Sequence, residues 1–170
     1  GGHQNNHSSP PGGNGGGIII IRANTLIGNG RLLSASGADI PNSPIDGSGG
    51  AGAGGTVLLD VQFYSSTLMI NVEGGEGGSS NTGPGGGGGG GLIWTSASTL
   101  SGTITADIAG GPAGLQTTLL NNWGADTGMV GGILTDLQIP ESSIEEYVVA
   151  VGDTTICPGE TAVLTASIPQ

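Results

Sequence analysis

GAGAGGTVLLDV, residues 50–61, decides the fold: a glycine-rich run breaks at Thr56 into a short strand whose alternate positions, Val57, Leu59 and Val61, are all aliphatic. The same opening occurs at Gly15-Gly16-Gly17-Ile18 and at Gly89-Gly90-Gly91-Leu92. Ile18 precedes Thr56 by 38 residues and Thr56 precedes Leu92 by 36. A near-constant period of this size is the signature of a stacked, repetitive fold. Such a fold offers a long surface more readily than an enclosed pocket.

Each window carries two strands. The first strands align as 18–23, 56–61 and 92–97, with an inward set of Ile19/Val57/Ile93, Ile21/Leu59/Thr95 and Ala23/Val61/Ala97. Arg22, Asp60 and Ser96 fall between them and belong in solvent. The second strands align as 32–36, 68–72 and 104–108, with Leu32/Leu68/Ile104, Ser34/Ile70/Ala106 and Ser36/Val72/Ile108 inward and Met69, Asn71, Glu73, Thr105 and Asp107 outward. Gly28-Asn29-Gly30 supplies a turn between the strands of the first window. One window cannot bury its apolar face alone, so about three must stack. The expected fold is all-β: a right-handed, glycine-rich parallel β-helix. The alternative is a sandwich in which the glycine runs pack as polyglycine helices. Residues 85–91, seven consecutive glycines, read either as a flexible linker or as an extended helix with three residues per turn, which glycine permits because no Cβ blocks close approach.

The boundaries follow from composition: a polar tail over residues 1–14, repeats over 15–114, a cap or linker over 115–140, and a new register over 141–170. Within the cap, Trp123 either plugs the open end of the core or stacks on a ligand. A strand is expected at 131–137. In the last segment, runs at 144–151 and 162–167 flank Ile156-Cys157-Pro158-Gly159-Glu160-Thr161, an arrangement expected at the start of an immunoglobulin-like sandwich.

Glycine contributes 38 of 170 residues, clustered in the connections rather than at every third position, which excludes collagen. Thirteen acidic residues face two arginines and no lysine, a net charge of −11 that opposes nucleic-acid binding and contact with anionic lipid. No apolar run approaches the roughly 18 residues of a membrane-spanning helix. No catalytic, cofactor-binding or metal-binding set emerges. His3 and His7 lie in the polar tail, and Cys157 has no nearby histidine. Asp60 and Asp107 fall on different strands of different windows, and Arg22 aligns with Asp60 as a surface ion pair. Asp39, Asp46, Glu73 and Glu76 lie in loops and supply oxygen ligands of the kind calcium takes, although no calcium-binding nonapeptide repeat is present.

VAVGDTTICPGETAVLTAS, residues 149–167, resembles the opening of the Ig-like repeats of large secreted proteins of Bacteroidota. GGNGGGIIIIRA (12–23), GNGRLLSASG (28–37) and GAGAGGTVLLDV are similar to glycine-rich β-helical repeats of bacterial surface adhesins. Together they look like a cell-surface or gliding-motility adhesin exported by the type IX secretion system. The resemblance implies an extracellular, non-catalytic stalk or adhesin module, a glycan or protein receptor, passage through an outer-membrane translocon, and an oxidising compartment for Cys157. Two other readings remain: a carbohydrate-active β-helix enzyme of lyase or hydrolase type, and a phage-type receptor-binding tip with glycine helices.

Overall fold

A computed structural model describes residues 10–43 and 47–139, all within the first of two units into which the chain divides, residues 1–139 and 140–170. The expected Ig-like strands, Cys157, His3, His7 and Asp46 lie outside the described residues.

Seven strands lie among the described residues: β1 (Ile18–Ile27), β2 (Arg31–Ser34), β3 (Thr56–Ser65), β4 (Leu68–Asn71), β5 (Leu92–Thr95), β6 (Ile104–Asp107) and β7 (Gly132–Leu134). Every pairing is parallel, and the strands form two sheets, β1-β3-β5-β7 and β2-β4-β6. The chain is therefore an all-β solenoid of about three turns. Ile19 pairs with Val57 and Val57 with Ile93, while Ile21, Leu59 and Thr95 form the next rung, as the period requires. These inward residues meet Leu68, Ile70, Val72 and Ile104 of the second sheet in one aliphatic column, where Val57, Leu59, Val72 and Ile93 are completely buried. Each such side chain contributes about 1.5–3 kcal/mol by leaving water.

Two expectations need correction. In the second sheet Leu33, not Leu32, pairs with Ile70, so Leu33 and the buried Ala35 face the core while Leu32 is 54% exposed. The cause is the turn: Gly28-Asn29-Gly30 spans three residues, whereas Ser66-Thr67 spans two in the next coil. One extra residue in a turn moves every following side chain to the other face. In the first sheet, β5 stops at Thr95, so Ala97 leaves the ladder; the last strand is likewise shorter than 131–137.

The glycine runs are not linkers. Their N–H groups bond the next coil at every third residue: Gly13 to Gly50 and Gly16 to Ala53, Ala51 to Gly86 and Gly54 to Gly89, Gly87 to Asp126 and Gly90 to Met129. A second series runs from Gly37, Ile40 and Ser43 to the carbonyls of Glu73, Glu76 and Ser79, and from Gly74, Gly77 and Ser80 to those of Ala109, Pro112 and Leu115. A three-residue hydrogen-bond repeat is the geometry of an extended threefold helix. Segments 10–17, 47–55, 83–91 and 126–131 thus form one layer, continuous with the first sheet. Segments 35–43, 72–80 and 108–116 form the other, continuous with the second. The first of these begins at Pro10, inside the stretch that composition assigns to the tail.

The two glycine layers are stitched by a zigzag that alternates between them: Ala38 N–H to Asn14 O, Gly52 to Ala38, Gly75 to Gly52, Gly88 to Gly75, Gly111 to Gly88 and Gly128 to Gly111, each 2.8–3.0 Å. The layers approach so closely that a Cβ on Gly88 would fall on the carbonyl oxygen of Gly52, and one on Gly111 on that of Gly75. Glycine is needed here for proximity. Among the described glycines only Gly30 and Gly124 have positive φ. The solenoid coils are accordingly flattened, with side chains filling the space between layers at one end and hydrogen-bonded backbone filling it at the other.

Candidate interaction surface

The two ends of the coil present different surfaces. At the glycine end, the turn from each coil to the next is marked by a column of buried polar residues, Ser43, Ser80 and Gln116, bridged in parallel. Ser80 Oγ accepts the Gly83 N–H at 2.9 Å and closes its turn tightly. In the third coil the column holds glutamine, and its longer amide organises a larger loop, residues 117–124.

Gln116 Nε2 donates to Asn81 O at 2.8 Å, and Gln116 Oε1 accepts the N–H groups of Thr118, at 2.8 Å, and Leu119. Thr118 Oγ1 donates to Asn81 Oδ1. The Gln116 backbone N–H bonds Asn121 O, and Leu120 N–H bonds Gln116 O. On this brace Leu119 (63%), Leu120 (73%) and Trp123 (59%) stand out in solvent. Leu120 has φ +52° and Trp123 φ +43°, a conformation that costs bulky L-residues about 1–3 kcal/mol each. The sequence offered Trp123 as a plug for the core; its exposure overturns that reading and leaves it available to a ligand. What identifies the loop is the replacement of serine by glutamine in an otherwise serine column, a signal visible only once the coils are aligned.

The second sheet carries a shallow recess of about 430 Å³ lined by Leu32, Met69, Ile70, Asn71, Thr105, Ala106 and Asp107. Its one carboxylate is tied locally, since Asp107 Oδ1 accepts the Ala109 N–H at 3.1 Å. Asp60 lies on the other sheet, with Oδ2 3.2 Å from Arg22 Nε, the surface pair that strand alignment anticipates. Asp39, Glu73 and Glu76 lie along the outer face of a glycine layer, where Asp39 Oδ1 accepts the Glu76 N–H at 2.7 Å and Glu73 Oε1 accepts from Asn71 Nδ2 at 2.9 Å. Asn42 Oδ1 does the same for the Ser79 N–H. Asp39 and Asn42 thus satisfy peptide N–H groups of the third row, at Glu76 and Ser79. No group of three or more His, Cys, Asp or Glu is placed to hold a metal ion among the described residues. No helix among them is long and apolar enough to cross a membrane.

No family model, curated protein or solved structure matches the chain.

Proposed function

We propose that this chain is a non-catalytic adhesin or stalk module of a bacterial cell surface, and that the 117–124 loop is its contact point with a surface glycan or protein receptor. The observation that carries the reading is the braced display of Leu119, Leu120 and Trp123: an exposed apolar triad held on strained backbone by a buried glutamine. Exposed tryptophan at the centre of a contact is the commonest carrier of binding energy, and strain is retained where the surrounding structure enforces it for use. Export through the type IX system and an extracellular location rest on the resemblance of residues 149–167. A phage-type receptor-binding tip is the second reading, favoured by the packed glycine layers behind the loop. It shares the same contact point.

The test separates binding from folding. Trp123→Ala should weaken adherence to intact cells, and to their purified surface polysaccharide or protein fraction, by about tenfold or more without moving the unfolding midpoint. Leu120→Gly should weaken adherence while raising the midpoint, because glycine relieves the positive φ. Undiminished adherence in both variants would exclude the loop as the contact.

A further inference from the structure

Two Asn-Gly pairs occur among the described residues, Asn14-Gly15 and Asn29-Gly30, and all four residues are exposed. In such a pair the glycine nitrogen can attack the asparagine side-chain amide, because no side chain on the glycine shields it. The sequence treats the two pairs alike, and the fold separates them.

Asn29-Gly30 is closed to this reaction. The pair forms a left-handed turn, with φ +47° at Asn29 and +69° at Gly30. The Gly30 N–H, whose nitrogen would have to become the nucleophile, donates to Thr67 O at 2.7 Å. The Asn29 side chain is held as well. Its Oδ1 accepts from Ser66 Oγ at 3.1 Å, and the Asn29 N–H donates to the same hydroxyl oxygen at 2.8 Å.

Asn14-Gly15 lies in a glycine layer, where successive peptide groups have separate duties. Gly13 and Gly16 donate to the next coil, and Asn14 O accepts the Ala38 N–H from the other layer at 2.9 Å. Gly15 belongs to the remaining, outward row. Its N–H reaches no acceptor among the described residues. This is a property of the row in this layer rather than of the first coil. The N–H groups of Ala53 and Gly89, its equivalents in the second and third coils, are unbonded in the same way. The Asn14 side chain makes no hydrogen bond among the described residues either, so nothing there restrains its amide.

We infer that Asn14 is a site of spontaneous modification, converted to aspartate and isoaspartate through attack by Gly15, while the fold keeps Asn29 intact. The Gly15 nitrogen loses its proton to hydroxide and bonds to Asn14 Cγ. The Cγ–Nδ2 bond breaks, ammonia leaves, and a succinimide ring remains. Water then opens the ring at either carbonyl, so one water is taken up and one ammonia released. Opening at Cγ leaves aspartate. Opening at the backbone carbonyl leaves isoaspartate, in which the chain runs through Cβ. Isoaspartate inserts an extra backbone atom between Gly13 and Gly16, whose N–H groups reach Gly50 O and Ala53 O at 2.9 and 2.8 Å. It also turns the carbonyl that receives the Ala38 N–H into a carboxylate. Either product adds a negative charge at the glycine layer. The inference is independent of what the 117–124 loop binds.

Incubation of the full chain in mildly alkaline buffer tests it, with one sample folded and one unfolded in urea, each digested afterwards with trypsin. Cleavage after Arg22 and Arg31 puts Asn14 and Asn29 in separate peptides, and tandem mass spectrometry assigns the converted residue. In the folded chain Asn14 should convert faster than Asn29 by about tenfold or more, because reaction at Asn29 must wait for local opening. In urea the two rates should converge. Gly15→Ala should slow conversion at Asn14 several-fold by shielding the nitrogen. The fold should survive it, since a Cβ there meets nothing closer than Ala53 O at 3.5 Å. Equal rates in the folded chain, faster conversion at Asn29, an Asn14 that stays intact, or undiminished conversion in folded Gly15→Ala would each overturn the inference.

Discussion

The strand half and the glycine half of each coil solve the same problem, filling the space between two layers, with opposite materials. Between the sheets the filling is aliphatic, and Val57, Leu59, Ile70, Val72 and Ile93 exclude water. Between the glycine layers there is no side chain to bury, and the peptide groups themselves close the gap through the zigzag from Asn14 to Gly128. The energetics differ in kind. A buried aliphatic side chain brings about 1.5–3 kcal/mol. A backbone hydrogen bond brings a net of about 0.5–1.5 kcal/mol, against the larger-than-usual entropy lost when glycine is ordered. Cα–H groups aimed at carbonyls, such as that of Gly88 toward Gly52, add smaller increments. The aliphatic column therefore drives folding, and the glycine lattice forms because the strands deliver its segments in register.

The most damaging change should thus lie in the strand half. Leu59→Asp places an unpaired carboxylate in a site with no exposure at all. A loss of more than about 4 kcal/mol is expected, enough to abolish a cooperative unfolding transition in a domain of ordinary stability. The milder Leu59→Ala should cost about 2–5 kcal/mol and keep the transition measurable by circular dichroism. A wild-type midpoint for either variant would remove Leu59 from the core.

The glycine half breaks by a sharper rule, and neighbouring residues give opposite signs. Gly88→Ala drives a methyl into the backbone of Gly52 and Ala53, with nowhere for a main chain to retreat. It should lose about 1–3 kcal/mol or more. Gly89→Ala meets nothing closer than the Met129 carbonyl oxygen at 3.7 Å, an ordinary contact. It should gain about 0.4–1 kcal/mol by restricting the unfolded chain. Thermal midpoints of the two variants on either side of the wild type would establish the lattice. Equal midpoints would mean that residues 85–91 behave as a linker.

That rule explains what the sequence displays and what it conceals. The first-sheet register is readable to the residue from Ile18, Thr56 and Leu92, because side chains there alternate with the strand period. The second-sheet register in the first coil slips at Gly28-Asn29-Gly30, since the length of a turn with Asn29 at φ +47° and Gly30 at φ +69° is set by backbone conformation rather than apolar pattern. The glycine layers leave a fainter trace. Glu73-Gly74-Gly75-Glu76-Gly77-Gly78-Ser79 and Ala109-Gly110-Gly111-Pro112 place one non-glycine residue in every three, at the position that faces outward. Residues 85–91 erase even that, because Gly86 and Gly89 occupy positions where a side chain would fit. The 117–124 loop is hidden for a related reason. Nothing in Leu119, Leu120 or Trp123 distinguishes an exposed triad from a buried one until the buried Gln116 amide is seen to bond Asn81, Thr118 and Leu119 and hold the loop.

The smallest effect expected is at Arg22, and it sharpens the contrast by showing what does not hold the layers together. Arg22 and Asp60 sit directly opposite each other on β1 and β3, with side chains 52% and 28% exposed. An ion pair so open to solvent is screened and gives up side-chain freedom, so Arg22→Ala should cost under about 1 kcal/mol. The variant also takes the net charge from −11 to −12, adding a little self-repulsion that salt relieves. The difference in denaturation midpoint between the two proteins should therefore shrink as sodium chloride is raised. A loss above about 2 kcal/mol at low salt that disappears in high salt would mean that charge, rather than the column beneath Ile21 and Leu59, aligns the coils, since screening leaves apolar burial intact while removing an exposed Coulomb attraction.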